Sequence, residues 1–220
     1  MLPLHWFLIR PCGLCGAPLE TGTPSGDPLC QSCRSLYGLP ADGLCGHEPI
    51  RWWGAGLYAG ALRELLLRLR RHPCQATMRA LTTGLAASLR GLDAAAERSL
   101  LVPVPSWKRR GNPLPGLVCR TLTGPTGLRR ADLLERSRPV LGQHHLGRTL
   151  RLANQAGAFH CLRPPGPGDN RRRPVLIVDD ILTSGATIGA AAAALRQAGW
   201  RVRGAVCLAR TPARSGPVVL

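Results

Sequence analysis

Apolar positions along the chain follow two alternating patterns, one typical of helices and one of buried strands. A helical spacing is shown by Leu62, Leu65, Leu66 and Leu69, which predicts an amphipathic helix over residues 61–71. The apolar run at residues 175–178 is mostly β-branched, which is typical of a strand buried on both faces. Because strands and helices alternate, the pattern predicts an α/β fold with a parallel sheet. Further strands are predicted at residues 51–58 (as a strand or hairpin), 100–104, 133–135 and 202–209, and further helices at 75–89, 117–122, 143–152 and 187–198.

Apolar segments at the N-terminus do not point to a membrane or to secretion. No stretch of the sequence reaches the roughly 18 uncharged apolar residues that a membrane span needs. The N-terminal run MLPLHWFLIR has no basic residues before it and no small-residue cleavage site after it, so no secretory signal is predicted. We therefore expect a cytoplasmic protein without membrane insertion.

The charge of the chain is strongly positive and unevenly distributed. Its 29 Lys and Arg residues against 12 Asp and Glu residues give a formal net charge of +17. Residues 1–50 hold two arginines and four acidic residues, so the excess lies in residues 51–220. Such a body favours nucleic acid, phosphorylated metabolites or an acidic partner. A GC-rich genome would account for the preference for arginine but not for the shortage of acidic residues. The only lysine, Lys108, has no glycine frame before it, which excludes a Walker-type P-loop.

Four of the nine cysteines form two C-x-x-C pairs, separated by fourteen residues. This spacing closes a Cys₄ site that suits structural Zn²⁺ and leaves no open position for catalysis. A short segment with few large apolar side chains gains stability from such a metal. Disulfides and a redox dithiol are the alternatives, and a cytosolic location argues against disulfides. The predicted metal ligands are Cys12, Cys15, Cys30 and Cys33, in a zinc-binding module of residues 1–50 that precedes an α/β domain of residues 51–220.

The remaining cysteines do not form pairs of this kind. Cys45 follows Asp42 at the spacing of a third C-x-x-C pair in which the first cysteine is replaced. Scattered cysteines of this kind are expected to be small buried apolar side chains rather than ligands; they are Cys74, Cys119, Cys161 and Cys207.

The segment with the clearest chemistry follows the strand at residues 175–178. Asp179 and Asp180 stand at its carboxyl end, where open α/β sheets bind ligands. A turn of small residues then leads into an alanine-rich helix, and its N–H groups and hydroxyls favour a phosphate monoester. Carboxylates would repel phosphate but accept hydrogen bonds from ribose hydroxyls, so the motif predicts a sugar phosphate; an ordinary helix cap with solvated aspartates is the alternative. The turn consists of Thr183, Ser184, Gly185, Ala186 and Thr187, with Gly185 expected to let a ligand approach the backbone.

The sequence V-L-I-V-D-D-I-L-T-S-G-A-T at residues 175–187 resembles the motif with which type I phosphoribosyltransferases bind phosphoribosyl pyrophosphate (PRPP). Together with the N-terminal cysteines, it resembles the ComF/ComFC family, which is associated with natural competence for DNA uptake. Three further segments are similar to motifs of that family: Val102-Pro-Val-Pro105, the helix from Tyr58 to Arg70 (with Arg70 in place of a lysine), and Gln143 to Phe159. The resemblance implies a type I phosphoribosyltransferase fold with a small N-terminal zinc-binding module.

The resemblance also implies roles for individual residues. Asp179 and Asp180 would bind the ribose of PRPP, the turn at 183–187 its 5-phosphate, and Mg²⁺ would bridge the ribose hydroxyls and the pyrophosphate. A basic loop of Lys108, Arg109 and Arg110 would close over the leaving pyrophosphate, which makes Arg110 a catalytic candidate beside the two aspartates.

That basic loop departs from the pattern of the family. It continues from Arg110 as Gly-Asn-Pro and lacks the Phe and Gln of the family's R-G-F-N-Q. This departure puts the ligand role of the loop in question.

These observations predict a PRPP-binding, phosphoribosyltransferase-like protein of DNA uptake. Its expected partners are single-stranded DNA and other competence proteins. Trp52, Trp53 and Trp107 are candidates for stacking on bases, although at least two of them are expected in the core. A nucleobase salvage transferase and a non-catalytic, PRPP-sensing scaffold that binds nucleic acid are the alternatives, and no residue set identifies an acceptor base.

Overall fold

The computed structural model describes residues 10–20, 23, 26–90, 99–106, 111–137, 157–166 and 173–212. Within these ranges, no helix is both long enough and apolar enough to cross a membrane. The helices described are α1 (Gln31–Tyr37), α2 (Gly60–Arg71), α3 (Gln75–Arg90), α4 (Leu114–Thr126) and α5 (Ala186–Gln197). The strands described are β1 (Leu44–Gly46), β2 (Trp52–Leu57), β3 (Leu100–Pro103), β4 (Arg129–Arg130), β5 (Leu134–Arg136), β6 (Phe159–Cys161), β7 (Val175–Val178), β8 (Ile181–Leu182) and β9 (Val202–Arg210).

One mostly parallel sheet organises the protein. Its strand order is β1-β2-β9-β7-β3-β4, with β8 beside β9. The pairing of β1 with β2 is antiparallel, and the other pairs in this sheet are parallel. All four residues of β7 are buried, because helices or the β5–β6 ribbon cover both faces of the sheet. The predicted α/β class with a parallel sheet is thus confirmed.

Apolar side chains pack on both faces of the sheet. On one face, α2 buries the four leucines that set its predicted period, and α3 and α4 complete the same core. On the other face, α5 and the antiparallel ribbon of β5 and β6 form a second core. Strand β7 contributes side chains to both cores, so the residues that follow it lie where the two cores end.

The chain up to residue 50, called here the cysteine-rich segment, packs directly against the core that α2, α3 and α4 form. Cys12, Leu29 and Cys33 are buried in the same apolar cluster as α2 and α3. At Gly84 of α3, a Cβ atom would lie 2.5 Å from the carbonyl oxygen of Pro40, so the two backbones touch. The boundary at residue 50 stays a prediction; the segment before it supplies these side chains and β1.

Most predicted elements are present, and the differences involve short segments. The helix predicted at residues 117–122 spans residues 114–126. Pro113 stands just before its first turn, where the backbone N–H group that a proline lacks has no helical partner in any case. The elements without a prediction, α1, β1, β4, β6 and β8, span seven residues or fewer, too few for periodicity to mark them. The helix predicted at 143–152 lies outside the described residues.

The four scattered cysteines and at least two of three tryptophans were predicted to be buried. Burial raises the pKa of Cys119 and of Cys207 to about 12, as expected for thiols inside an apolar core. The prediction is wrong for Cys74, which is exposed just before α3, and Cys161 is only half-buried. Trp52 and Trp53 lie in the core, as expected for at least two tryptophans, so neither stacks on a base, and Trp107 lies outside the described residues.

Candidate functional site

The two aspartates at the end of β7 occupy different environments. Asp180 is buried, with 3% of its surface exposed, whereas Asp179 is half-buried. The carboxylate of Asp179 accepts a hydrogen bond from the backbone N–H of Asp180 at 2.9 Å. Adjacent acids in one motif are therefore not equivalent: one is held inside the protein and the other faces the cleft.

Two side chains from distant segments hold Asp180. Arg70 Nε on α2 donates to its Oδ2 at 2.6 Å, and Asn112 Nδ2 donates to the same oxygen at 2.7 Å. The Oδ1 of Asn112 accepts from the N–H of Leu114, which fixes the amide at the start of α4. With one oxygen occupied by a cation and an amide, Asp180 is a positioned carboxylate rather than a freely available one.

The pKa of Asp179 is raised to about 8. Burial is the largest cause, and the negative charge of Asp180 adds to it; the backbone N–H of Asp180 and the cation of Arg70 act in the opposite direction. A carboxyl group with this pKa changes its protonation near neutral pH, which is common among residues that bind or react with a ligand.

The turn from Thr183 to Thr187 lies beside the acid pair, as the motif predicts. Gly185 has φ of +80° and caps α5, and the side-chain oxygen of Ser184 accepts from the N–H of Ala186 at 3.4 Å. Arg210 Nη1 donates to the carbonyls of Leu182 and Thr183, which anchors the entry to the turn.

The space beside Gly185 has an unexpected occupant. A Cβ atom there would lie 2.1 Å from Cγ of Pro49. The glycine is therefore required by its positive φ and by the proline packed against it. At the Cα side of Gly185, the close approach expected of a ligand is made instead by the protein's own N-terminal segment.

A cleft of about 470 Å³ opens over these groups. Asp179, Asp180, Thr183 and Thr187 line it, so the structure brings together four of the predicted site residues. Ser184, Gly185 and Ala186 form the turn beneath it. Its size lies within the range of small-molecule sites, and its polar groups combine carboxylates and hydroxyls with arginines. The arginines on its walls are Arg63, Arg70 and Arg136.

Arg136 at the end of β5 is one of the cations that line this cleft. Its Nε donates to the carbonyl of Pro105 at 2.9 Å, and its guanidinium lies 4.6 Å above the ring of Phe159. Burial lowers its pKa, while Asp179 partly opposes that shift. Nη1 is buried and makes no hydrogen bond within the described part of the chain. A half-buried guanidinium on the wall of the cleft fits an anionic ligand.

The structure brings the predicted acids and the predicted turn together at the cleft, but it describes none of the predicted basic residues. Lys108, Arg109 and Arg110 lie outside the described residues. Asn112 and Arg70 were not predicted as site residues, although each lies in a segment similar to a family motif. Arg63 and Arg136 had no sequence signal, because an arginine on a helix or strand usually marks an exposed face.

The four predicted cysteine ligands come together in space. Their sulfur atoms all lie within 4.8 Å of one another, and the Sγ atoms of Cys15 and Cys30 are 3.8 Å apart. Sulfurs bound to tetrahedral Zn²⁺ at about 2.3 Å are roughly 3.8 Å from each other. All nine cysteines are free thiols, so the disulfide alternative is not realised. The cluster is able to hold a metal ion such as zinc.

Backbone N–H groups point at the sulfurs of this cluster. The N–H of Cys30 donates to Cys12 Sγ, and the N–H of Cys33 donates to Cys30 Sγ, both at 3.4 Å. Burial raises the pKa of Cys12, but the backbone donors outweigh it and lower the value to about 6. Since the thiolate is the metal-binding form, Cys12 is prepared to bind. Cys45 is exposed on β1 and does not belong to the cluster.

Solved structures with partial similarity are purine phosphoribosyltransferases. The adenine phosphoribosyltransferase from Leishmania donovani aligns with 61% of this chain and 52% of its own, at 16% identity and a TM-score of 0.38. The match thus spans about half of that enzyme. A hypoxanthine phosphoribosyltransferase from Staphylococcus aureus aligns with 63% of each chain, at 15% identity and a TM-score of 0.34.

Curated relatives match along almost the whole chain, although no family model matches it. The DNA utilization protein YhgH of Escherichia coli O6:H1 is 30% identical over 226 residues, covering 94% of this chain and 92% of that protein. The protein of the same name from Escherichia coli K12 is 30% identical over 230 residues, covering 91% and 96%. At this identity and coverage, the chain belongs to the family of the DNA utilization protein YhgH.

Proposed function

We propose that this protein binds PRPP with Mg²⁺ and acts in the cytoplasm as a phosphoribosyltransferase-like protein of the ComF type, in the handling of incoming single-stranded DNA. The observation that carries the PRPP half is the cleft that Asp179, Thr183, Thr187 and Arg136 line together. The name of the YhgH relatives supports the DNA half. Other competence proteins are proposed partners, and Zn²⁺ is the proposed ion of the Cys₄ cluster.

Each group in the cleft has a separate task in this proposal. The turn at 183–187 holds the 5-phosphate beside the N-terminus of α5, and Asp179 accepts hydrogen bonds from ribose hydroxyls. Asp180, held by Arg70 and Asn112, positions the acid pair. The carboxylate of Asp179 would help to hold Mg²⁺, which would neutralise part of the negative charge of the leaving pyrophosphate.

The basic residues are assigned to the pyrophosphate. Arg136 and Arg63 on the walls of the cleft, together with the loop of Lys108, Arg109 and Arg110, stabilise negative charge as it develops on the leaving group. The arginines, carboxylates and hydroxyls that line the cleft fit a ligand that carries both phosphates and hydroxyls. The ionised form of Asp179 is the form that accepts hydrogen bonds, so the proposal requires PRPP affinity to rise with pH toward 8.

Calorimetric titration of PRPP with Mg²⁺ tests this proposal. We expect binding by the wild type and at least a tenfold loss in Asp179→Asn, the size of effect typical for a charged hydrogen-bond partner. Asp132→Asn is the matched control, because the side chain of Asp132 is 63% exposed and lies outside the cleft. No heat with the folded wild type, or equal affinity in both variants, would remove the PRPP assignment.

A non-catalytic PRPP-binding scaffold is the second candidate. The observation in its favour is that the altered loop after Arg110 places Asn112 on Asp180 instead of leaving the acid pair open. Pyrophosphate release assayed with each free nucleobase, and with single-stranded DNA, separates the two candidates. Pyrophosphate release with any of these acceptors supports a transferase. If release occurs with a free nucleobase but not with single-stranded DNA, the transferase is a salvage enzyme. PRPP binding without pyrophosphate release supports the scaffold.

A further inference from the structure

A second cleft, larger than the first, lies between the cysteine-rich segment and the helices α3 and α4. Its volume is about 810 Å³, and no residue that lines it also lines the PRPP cleft. Four arginines and one aspartate, Asp27, are its charged groups. We call it the arginine cleft and define it by Arg34 on α1, Arg79 and Arg90 on α3, and Arg120 on α4.

The positive charges of the arginine cleft are arranged along one face of α3. Arg79 and Arg90 are eleven residues apart, so they face the same side of the helix and lie about 16 Å apart along its axis. Thr83 and Ala86, at the intervening turns, also line the cleft. This distance exceeds any single phosphate group and matches a ligand with charges at repeated intervals.

Two of the four arginines are free to bind. Arg34 already donates to Asp27 and to the carbonyl of Leu39, and Arg90 donates one N–H to the carbonyl of Pro125. Arg79 and Arg120 are exposed, and their guanidinium groups make no hydrogen bond or ion pair with another residue in the described ranges. Each therefore presents a planar fork of donors of the kind that binds phosphate.

The walls of the arginine cleft are held in place by close packing. Gly13 of the cysteine-rich segment approaches α3 so closely that a Cβ atom there would lie 2.8 Å from Cβ of Ala80, and Gly84 packs against the backbone of residues 40–43 in the same way. Arg34 is fixed on the opposite wall by its ion pair. The cleft is thus formed before any ligand binds, which reduces the entropy lost on binding.

We propose that the arginine cleft binds the phosphodiester backbone of a nucleic-acid strand. This inference rests on the proposed function and assigns its DNA-binding surface. The residues that line the cleft include no aromatic side chain among those described, so contacts go to phosphates and carry no base sequence. An acidic protein surface is the competing ligand. The forks of Arg79 and Arg120, together with the linear spacing along α3, favour phosphates in a chain.

Fluorescence anisotropy with a labelled oligothymidylate of about twenty nucleotides tests the inference on the full-length protein. The variant Arg79→Ala/Arg120→Ala removes two exposed side chains and no buried contact. We expect roughly tenfold weaker binding, and a slope of log affinity against log salt that is shallower by about 1.4, since each lost phosphate contact contributes about 0.7 for a single strand.

The matched control removes the same charge from the opposite face of the sheet. Arg196→Ala/Arg201→Ala changes two exposed arginines, one at the end of α5 and one before β9, and is expected to alter affinity less than twofold. Equal losses in both variants would show a diffuse charge effect and overturn the inference. Displacement of the oligonucleotide by polyglutamate at lower charge concentration would overturn it in favour of an acidic protein partner.

The same proteins separate this inference from the PRPP assignment. PRPP binding measured by calorimetry is expected to be unchanged in Arg79→Ala/Arg120→Ala. Wild-type protein that binds PRPP but not the oligonucleotide would overturn the arginine-cleft inference alone. Oligonucleotide binding that depends on Arg79 and Arg120 but occurs without PRPP binding would support the cleft and refute the PRPP assignment alone.

Discussion

Replacing Arg70 by methionine is expected to destabilise the protein by leaving a buried charge uncompensated. Asp180 has a side chain only 5% exposed and depends on Arg70 for its compensating charge. Losing one partner of a fully buried ion pair costs roughly 3–5 kcal/mol. Because the side chain of Arg70 is 31% exposed and Asn112 remains bound to the carboxylate, we expect about 2–3 kcal/mol at pH 8. That corresponds to a fall in Tm of roughly 5–10 °C for a chain of this size.

Thermal unfolding at pH 8 measures this effect. Without the guanidinium, the buried carboxylate of Asp180 keeps its hydrogen bond from Asn112 but loses its compensating positive charge. Adding Asp180→Asn to the Arg70 variant is expected to restore most of the stability lost at pH 8, because the uncompensated charge is then gone.

An exposed ion pair provides the matched control for Arg70. Arg130 donates to Asp132, whose side chain is 63% exposed, and such pairs contribute less than about 1 kcal/mol. Arg130→Met should therefore lower Tm by no more than roughly 4 °C. Equal losses in the two variants, or no recovery of stability when Asp180→Asn is added to Arg70→Met, would refute the idea that Arg70 compensates a buried charge.

Three further perturbations test other parts of the structure. The pKa of Asp179 is about 8 in the folded protein, against an ordinary value of 3.8. The folded state therefore binds more protons than the unfolded state between these two pH values, so this carboxyl lowers stability as the pH rises. In thermal unfolding, Asp179→Asn should be more stable than the wild type at pH 8 and equal to it near pH 4. Cys33→Ser should abolish binding of one Zn²⁺ per chain in elemental analysis, whereas Cys45→Ser, outside the cluster, should leave it unchanged. Gly84→Ala places a Cβ atom 2.5 Å from a backbone oxygen and should lower the free energy of unfolding in urea by about 1–3 kcal/mol, while Gly124→Ala, with open space around it, should not.

Local patterns were sufficient to predict the sheet and the acid pair. The buried run at 175–178 and the leucines of α2 carry their burial in their spacing, so the element and its orientation follow from the sequence. The position of Asp179 and Asp180 then follows from the chain, because they are the next residues after the strand. The Cys₄ cluster was predictable for the same reason: each C-x-x-C pair places two sulfurs together locally, and a single closure joins the pairs.

Contacts between distant segments were not predictable. Arg70 and Asn112 lie 110 and 68 residues from Asp180, and only the crossovers of the parallel sheet bring the three side chains together. Arg136 has the composition of an exposed position, yet the end of β5 directs its guanidinium into the cleft. Pro49 against Gly185 is a contact of the same kind. Sequence spacing records which face of an element is buried, but not which distant residue is packed against it.

The N-terminal segment lines the arginine cleft and packs beside the PRPP cleft, which suggests a structural reason for its cysteine cluster. Cys30 caps α1 and Cys33 lies within it, so a metal bound to these thiolates fixes the helix that carries Arg34 to the wall of the arginine cleft. The same segment continues to Pro49, which packs against the turn beside the PRPP cleft. A Cys₄ site has no open coordination position and performs no chemistry itself. A metal held there would stabilise a segment with few large apolar side chains, as metals do in small metal-binding modules, and would thereby keep the wall of the arginine cleft in place.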